Sequence, residues 1–404
     1  MASGESLRLC SAGLTGAWAA PGLGFLSSLE QWLASLRDPE RARSELPFHG
    51  GWLVYLGYEI AGEVEPTLKL PASDAPCVAL AVRAPCAWIA DRVTGNAWVV
   101  AEPGHEGLIE RFKTHVAEAR ELPGVGALDF TIAEDDPDEF RGRVRRALEY
   151  IAAGDIYQAN LSRGWRVGAA MRMDPVSVYR RLRRANPGPF SALLRFGDFA
   201  VVSSSPERLA ASDGRHVSSR PIAGTRPRGA TPAEDEMLIR QLLDNEKERA
   251  EHIMLIDLER NDLGRVCVGG SVRVDELMSV ETYAHVHHIV SNISGVLRPG
   301  CTAVDLLRAV FPGGTITGCP KFRCMQIIAE LEGEGRGAYT GSIGYINRDG
   351  SADFNILIRT MSLDLSGNEL RFRAGAGIVA DSDPDRELAE TRAKAEGLLR
   401  ALRA

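Results

Sequence analysis

The 404-residue sequence lacks several features that would mark whole classes of protein. No apolar run reaches the roughly 18 residues that a membrane-spanning helix needs. Residues 1–14 lack the basic segment and apolar stretch of a secretory signal. The seven cysteines are odd in number and no two have C-x-x-C spacing, so we predict neither a disulfide framework nor a zinc knuckle. These absences predict a cytoplasmic protein with reduced thiols that contacts no membrane.

Basic residues are fewer than acidic ones: the 47 Lys and Arg residues and the 54 Asp and Glu residues give a net charge of −7. A nucleic-acid binder needs a basic surface, and the sequence has no basic stripe or RNA-binding motif. The loops G-x-x-x-x-G-K-[ST] and G-x-G-x-x-G, which cradle nucleotide phosphates, are missing too. We therefore predict no nucleic-acid partner. An acidic small-molecule substrate would need a metal ion or a few placed basic residues.

Short apolar runs bounded by Gly and Pro fill the first third of the chain. Residues 51–58 are one example, and such runs predict strands rather than long helices. The sequence Leu-Pro-Gly-Val-Gly at residues 122–126 then predicts a joint between two units. We expect a β-rich N-terminal segment over residues 1–125 that packs on a core over residues 126–404.

Helix start and stop signals become clear after this joint. Asp136 has the chemistry of an N-cap, and Gly154 ends the helical spacing that follows it. Thr231 begins a capping box and predicts a long helix that runs towards Asp257. A last capped helix is predicted to begin at Asp383.

Turn dipeptides predict the strands of the second unit. Residues 191–203 predict a hairpin that turns at Gly197-Asp198. Three further runs separated by turn dipeptides predict an antiparallel meander over residues 341–347, 353–363 and 369–379. Strands grouped into hairpins with helices between the groups predict an α+β protein with antiparallel sheets.

Two pairs of glutamates at i, i+3 spacing are candidate metal ligands. Glu248 and Glu251 lie on the middle helix, and Glu387 and Glu390 lie with Lys394 on the last helix. Carboxylates one turn apart can hold Mg²⁺, which prefers one or two carboxylates together with water and substrate oxygens. An ordinary solvated helix face with local ion pairs is the simpler interpretation of either pair. From the residues alone both interpretations stay open.

Six segments, in this order, resemble the chorismate-utilising family, which includes anthranilate, aminodeoxychorismate, isochorismate and salicylate synthases. The resemblance runs from about residue 130 to the C-terminus. The matching segments are residues 221–225, 244–262, 287–291, 315–321, 358–360 and 374–379.

The resemblance implies a fold of two packed, mainly antiparallel β-sheets with helices outside, as in anthranilate synthase component I. It implies that chorismate is the substrate and that Mg²⁺ bridges it to the four glutamates. The residues expected to bind substrate are Arg359, Tyr345, Gly375, Ala376, Gly377, Lys394, Ala223, Gly224 and Thr225. The residues expected to take part in catalysis are Glu251, His288, Thr315 and Gln158.

Gln158 is the main indication of the nucleophile. Family members that add water have a lysine base at this position, whereas the aminating members usually have glutamine. The resemblance therefore implies that ammonia is added, and that a separate glutamine amidotransferase subunit supplies it. A homologue that binds chorismate or an aromatic amino acid without catalysis is a further alternative.

The position of amination stays open between two products. Residues 286–288, Val-His-His, and residues 315–318, Thr-Ile-Thr-Gly, resemble aminodeoxychorismate synthases, which lead to para-aminobenzoate and folate. Ala223 favours the alternative, because many of those enzymes have a lysine there and anthranilate synthases have alanine. We favour amination towards aminodeoxychorismate, with anthranilate synthesis as the alternative.

Overall fold

The computed structural model describes residues 6–10, 13–16, 22–38, 44–120, 130–169, 172–283 and 286–403. The predicted joint at residues 122–126 lies outside them, so the division into 1–125 and 126–404 stays a prediction. In the described part of the chain, no helix combines the length and the apolar composition needed to cross a bilayer.

Ten α-helices and twenty strands form in the described residues. The helices are α1 Phe25–Leu36, α2 Ala61–Val64, α3 Gly107–Glu118, α4 Pro137–Ala152, α5 Pro175–Ala185, α6 Pro232–Asp244, α7 Glu246–Gly264, α8 Ala303–Val310, α9 Lys321–Glu332 and α10 Pro384–Arg403. The strands in the first half are β1 Ser6–Cys10, β2 Gly13–Gly16, β3 Gly51–Leu56, β4 Ala79–Ala84, β5 Cys86–Ala90, β6 Ala97–Ala101, β7 Phe130–Glu134, β8 Gln158–Ala169, β9 Phe190–Phe196 and β10 Phe199–Ser205. The strands in the second half are β11 Arg208–Asp213, β12 His216–Arg220, β13 Ile222–Pro227, β14 Arg273–Thr282, β15 Val286–Val296, β16 Gly318–Cys319, β17 Ser342–Asn347, β18 Ser351–Asn355, β19 Thr360–Asp364 and β20 Glu369–Ile378.

Two antiparallel sheets dominate the described structure. The large sheet has the order β13-β15-β12-β11-β18-β17-β3-β4-β1-β2, with β14 on β15, and the small sheet has the order β16-β8-β20-β19-β10-β9, with β7 on β8. The inner faces meet in an apolar layer where the rings of Tyr55 and Phe199 lie 5.7 Å apart. Helices cover the outer faces, α1 and α8 on the large sheet and α5 and α10 on the small sheet. This arrangement confirms the predicted α+β fold of packed, mainly antiparallel sheets.

Four strands from the first third of the chain, β1 to β4, belong to the large sheet, while β5 and β6 form a separate pair. β3 pairs with β17 from Gly51↔Asn347 to Leu56↔Ser342. This region also contains the 12-residue helix α1, although its sequence predicted strands rather than long helices. Phe25, Leu29 and Trp32 recur at helical spacing and are fully buried, so their burial explains the helix.

Most local predictions for the chain after residue 130 are confirmed. The Asp136 side chain accepts a hydrogen bond from the Asp138 backbone N–H and caps α4. The hairpin of β9 and β10 turns at Gly197-Asp198, and α10 begins at Pro384.

The long helix predicted to run from Thr231 towards Asp257 is instead two helices. The helix is interrupted at Asn245, whose side chain accepts a hydrogen bond from the Glu248 N–H at 3.1 Å. Asn245 is thus the N-cap of α7 and places Glu248 in the first turn of a new helix.

The predicted meander is also corrected. The run 353–363 is divided between β18 in the large sheet and β19 in the small sheet. The chain crosses from one sheet to the other over residues 356–359, and Arg359 has a positive φ of 52° at the end of this crossing. The predicted single strand is therefore two strands in different sheets, and the sequence pattern does not show where the chain passes from one sheet to the other.

Candidate active site

α7 and α10 bring the predicted metal ligands towards the ends of β8 and β20. α7 packs on β13 and β15, and α10 packs on β20. Glu248 lies in the first turn of α7, and Glu251 lies one turn further along. Glu387 lies in the first turn of α10, three residues before Glu390.

Several of these carboxylates are held by a side chain of the protein itself. Glu248 Oε1 accepts a hydrogen bond from Arg226 Nη1 at 2.6 Å. Glu390 Oε1 lies 2.8 Å from Lys394 Nζ, and Glu251 Oε1 accepts from Gln158 Nε2 at 3.0 Å. Among the described residues, no three His, Cys, Asp or Glu side chains lie together as a group that could hold a metal ion.

The donor chemistry nevertheless fits a hard cation. Glu248 Oε2 is buried and has no hydrogen-bond partner. Gly224, with a positive φ of 69°, approaches this oxygen so closely that a Cβ on it would lie 2.7 Å away. A buried carboxylate oxygen without a hydrogen-bond partner is the kind of ligand that Mg²⁺ prefers.

Gln158 occupies the start of β8 with only 3% of its surface exposed. Its amide nitrogen binds Glu251, while its Oε1 is buried and has no hydrogen-bond partner. A Cβ on Gly377 would lie 2.5 Å from Gln158 Nε2, so the bare backbone of β20 leaves room for the amide. The group at this position is therefore neutral and cannot act as a base.

Lys394 connects α10 with β20. Its Nζ donates to the Gly375 carbonyl at 3.1 Å and pairs with Glu390, while about half of its side chain (49%) remains exposed. Burial alone would lower the pKa of the Lys394 ammonium, but the Glu390 carboxylate gives a net rise, so Lys394 stays charged. The Ala376 side chain is fully buried in the core with Leu388, which leaves only its backbone for a ligand.

His288 lies on β15 opposite Thr225. Its Nδ1 is 2.9 Å from Thr225 Oγ1 and 3.4 Å from the Gly224 carbonyl, and its Nε2 is buried without a hydrogen-bond partner. Burial, and then the charge of Arg359, lower the pKa of His288 to about 4. The ring is therefore neutral at pH 7.

A buried acid that the sequence analysis did not single out completes this side of the site. Glu207 Oε1 accepts a hydrogen bond from Thr315 Oγ1 at 2.8 Å. Burial, with Glu259 nearby, raises the pKa of Glu207 to about 7, so its carboxyl group can hold a proton at neutral pH. Burial lowers the pKa of Arg359 below its ordinary value, and the Glu207 carboxylate only partly offsets this effect.

A family model described as chorismate binding enzyme matches residues 21–400 of the chain. The chain is a member of this family.

The relatives of the chain carry two kinds of name. The chain is 47% identical over 369 residues to the anthranilate synthase component I-like protein of Synechocystis, with 88% of this chain and 73% of that protein covered. It is 41% identical over 391 residues to the aminodeoxychorismate synthase component 1 of Bacillus subtilis, with 93% and 82% covered.

The fold also matches that of a solved family member. The crystal structure of anthranilate synthase component I from Streptococcus pneumoniae shares 32% of residues with this chain, at a TM-score of 0.86. The match covers 98% of this chain and 89% of that protein.

One predicted residue of this chorismate-binding enzyme does not lie with the others. Tyr345 packs edge-on against Phe48 at 5.6 Å, and burial with nearby Asp353 raises its pKa to about 12. Tyr339 lies at the site instead, because a Cβ on Gly375 would lie 2.5 Å from its hydroxyl. Tyr339 precedes β17 and Tyr345 lies within it, and the sequence pattern does not tell which hydroxyl faces β20.

Three of the residues predicted to bind substrate lie next to one another on one strand. Ala223, Gly224 and Thr225 lie on β13, where the register with β15 shifts between Ala223 and Thr225. Ala223 is buried and its methyl group offers no nucleophile. Glu207 could have been recognised as an acid two residues after the end of the strand Phe199–Ser205, whose residues are all buried.

Proposed function

We propose that this enzyme adds ammonia to chorismate and releases 4-amino-4-deoxychorismate, as the large component of an aminodeoxychorismate synthase. The observation that carries the proposal is Gln158, a buried neutral amide hydrogen-bonded to Glu251. Water is a weak nucleophile and would need a base at this position, whereas neutral ammonia is nucleophilic without one.

We assign the metal site to Glu248, Glu251, Glu387 and Glu390. Mg²⁺ bound there would neutralise a carboxylate of chorismate and polarise the ring to which it is attached. The unpartnered Glu248 oxygen supports this assignment. The site would close around substrate only when the carboxylates exchange some of their present partners.

The other carboxylate of chorismate would be held by two basic side chains and one hydroxyl group. Lys394 and Arg359 provide charge, and Tyr339 provides a hydroxyl beside the backbone of Gly375. Charged donors fixed by packing bind carboxylates with defined geometry. This set orients the ring between Gln158 and His288.

The hydroxyl group at C4 would leave on the side of His288 and Thr315. The Thr315 hydroxyl donates to Glu207, which can hold a proton near pH 7. A protonated Glu207 can protonate the departing oxygen, so that it leaves as water. Neutral His288 can donate or accept one hydrogen bond through its unpartnered Nε2.

The product assignment rests on residues 286–288 and 315–318 and is consistent with the Bacillus relative named aminodeoxychorismate synthase component 1. Ala223 supports the second candidate, anthranilate synthesis, because it offers no side chain for a covalent adduct, and several relatives are named anthranilate synthase component 1. Under our proposal, ammonia displaces the C4 hydroxyl group without an adduct at residue 223. The hydroxyl leaves as water with the proton of Glu207, and the proton lost by the new ammonium group returns to Glu207.

We further propose that the chain works with a glutamine amidotransferase that supplies ammonia, in the cytoplasm, for para-aminobenzoate and folate synthesis. The names of the relatives support this, since "component 1" implies a second component. The two-unit division at residue 125 is part of the same proposal.

The deciding experiment is a product assay of the purified chain with chorismate, Mg²⁺ and ammonium salt, with and without an aminodeoxychorismate lyase. We expect 4-aminobenzoate only when the lyase is present. Direct formation of fluorescent anthranilate with pyruvate would instead establish the second candidate. Binding of chorismate without turnover would support a non-catalytic homologue.

A further inference from the structure

Arg226 is a cation that already occupies a predicted metal ligand. Its Nη1 donates to Glu248 Oε1 at 2.6 Å and to the adjacent Thr225 carbonyl at 2.9 Å. The side chains of Arg226 and Glu248 are 24% and 20% exposed, so water screens the pair only in part. The negative charge of Glu248 is thus neutralised by the protein itself.

The pair is built so that it can exchange. A guanidinium can grip a carboxylate through two parallel hydrogen bonds, but here one nitrogen is shared between Glu248 Oε1 and a carbonyl. The second oxygen, Glu248 Oε2, is buried beside Gly224 with no hydrogen-bond partner. An approaching cation therefore meets an available oxygen on a carboxylate that is only singly bound.

We propose that Arg226 is the exchangeable counter-ion of the metal site, which neutralises Glu248 until a divalent cation replaces it. The inference rests on the proposed function, because it takes Glu248 as a metal ligand. Two cations on one carboxylate repel each other, so the guanidinium and the metal ion compete. Arg226 thereby lowers the metal affinity of the free enzyme.

Competition between Arg226 and the metal ion makes metal binding depend on the substrate. A site of four glutamates without internal cations would hold a divalent ion tightly whether or not substrate is present. With Arg226 on Glu248 and Lys394 on Glu390, the ion gains most when an anionic substrate supplies a further ligand. Metal and substrate then bind together and leave together.

The test is Mn²⁺ binding, followed through the electron paramagnetic resonance of free Mn²⁺, with no chorismate present. We expect R226Q to bind Mn²⁺ about five- to thirty-fold more tightly than wild type, the range for losing a partly exposed charge-assisted pair. The Mg²⁺ affinities, measured by competition with Mn²⁺, should follow the same order among the variants. R226K, which keeps the charge on a differently shaped group, should lie between the two.

R249Q is the matched control. Arg249 is exposed and adjacent to Glu248 on α7, so its removal deletes the same charge near the site while the Arg226–Glu248 pair remains. We expect its Mn²⁺ affinity to stay within about two-fold of wild type. Circular dichroism and thermal unfolding verify that each variant is folded. If R226Q does not fold, the Mn²⁺ affinity of R226K decides the test.

The outcomes separate the inference from the proposed function. Equal tightening in R226Q and R249Q would reduce the effect to general charge and overturn the inference. Weaker binding in R226Q or R226K would make Arg226 a positioning residue for Glu248, which also overturns it. If E248Q binds Mn²⁺ as wild type does, or wild type binds none, the metal assignment itself fails and the inference fails with it.

Discussion

Tyr339 and Tyr345 carry the same phenol in two different surroundings. Tyr339 lies against Gly375 with its hydroxyl 3.4 Å from Asn160 Nδ2, while Tyr345 packs on Phe48. A hydroxyl that binds a substrate carboxylate contributes about 1.5–3 kcal/mol.

We therefore expect Y339F to lower kcat/KM for chorismate by roughly ten- to a hundred-fold, mainly through KM, since the lost hydrogen bond is made to bound substrate. Y345F is the control and should stay within about two-fold of wild type. Steady-state kinetics with ammonium as the nitrogen source measures both variants. A larger loss in Y345F than in Y339F would restore Tyr345 to the site.

The sequence predicted the residue types of the site better than their contacts. The four glutamates, Gln158 and Arg359 could be assigned because their motifs resemble those of a known family. Contacts made through space were missed, such as Arg226 on Glu248 and Thr315 on Glu207. These partners are 22 and 108 residues apart, so no local spacing relates them.

Asn245 decides where α7 begins and therefore how Glu248, the first of the proposed metal ligands, is presented. Its side chain accepts from the Glu248 N–H, so the cap and the ligand share one residue. Replacing an N-cap Asn by Ala typically costs about 0.5–2 kcal/mol, whereas Gly costs only a few tenths.

N245A should therefore unfold a few degrees below wild type, and N245G should lie close to wild type. The same order is expected for Mn²⁺ affinity, because fraying of the first turn of α7 would loosen Glu248. Differential scanning fluorimetry and Mn²⁺ titration measure the two effects. An unchanged N245A would mean that packing on β13 and β15 alone fixes this helix end.

Elements were predicted well where the chain carries local signals, and poorly where tertiary contacts decide. The Asp136 cap and the Gly197-Asp198 turn are local, and both predictions are confirmed. The break at Asn245 and the change of sheet before Arg359 depend on what the chain packs against. An alternation pattern is the same in either sheet, so it cannot reveal a crossing.

At the scale of the whole molecule, buried acids make stability depend on pH. Burial raises the pKa of Glu207 from 4.5 to about 7, so the folded state binds a proton more tightly than the unfolded state does. The stabilisation from this proton is complete below about pH 4.5 and is lost as the pH rises through about 7.

E207Q cannot lose this proton, so the melting temperature of wild type should fall relative to that of E207Q between pH 5 and pH 8. Thermal unfolding across this range checks the sign. Activity should fall in E207Q at every pH, since the amide cannot protonate a leaving hydroxyl. Parallel melting curves for both proteins would place the titration elsewhere, for example at Glu259, whose pKa burial also raises to about 7.

The ladder between β3 and β17 joins the first third of the chain to its last third in one sheet. A fragment that starts at residue 126 would leave the edge of β17 exposed, and exposed edges recruit other strands. The two pieces 1–125 and 126–404, expressed from separate genes, carry complementary edges. We therefore expect such a split protein to reassemble without a covalent connection, while either half alone aggregates.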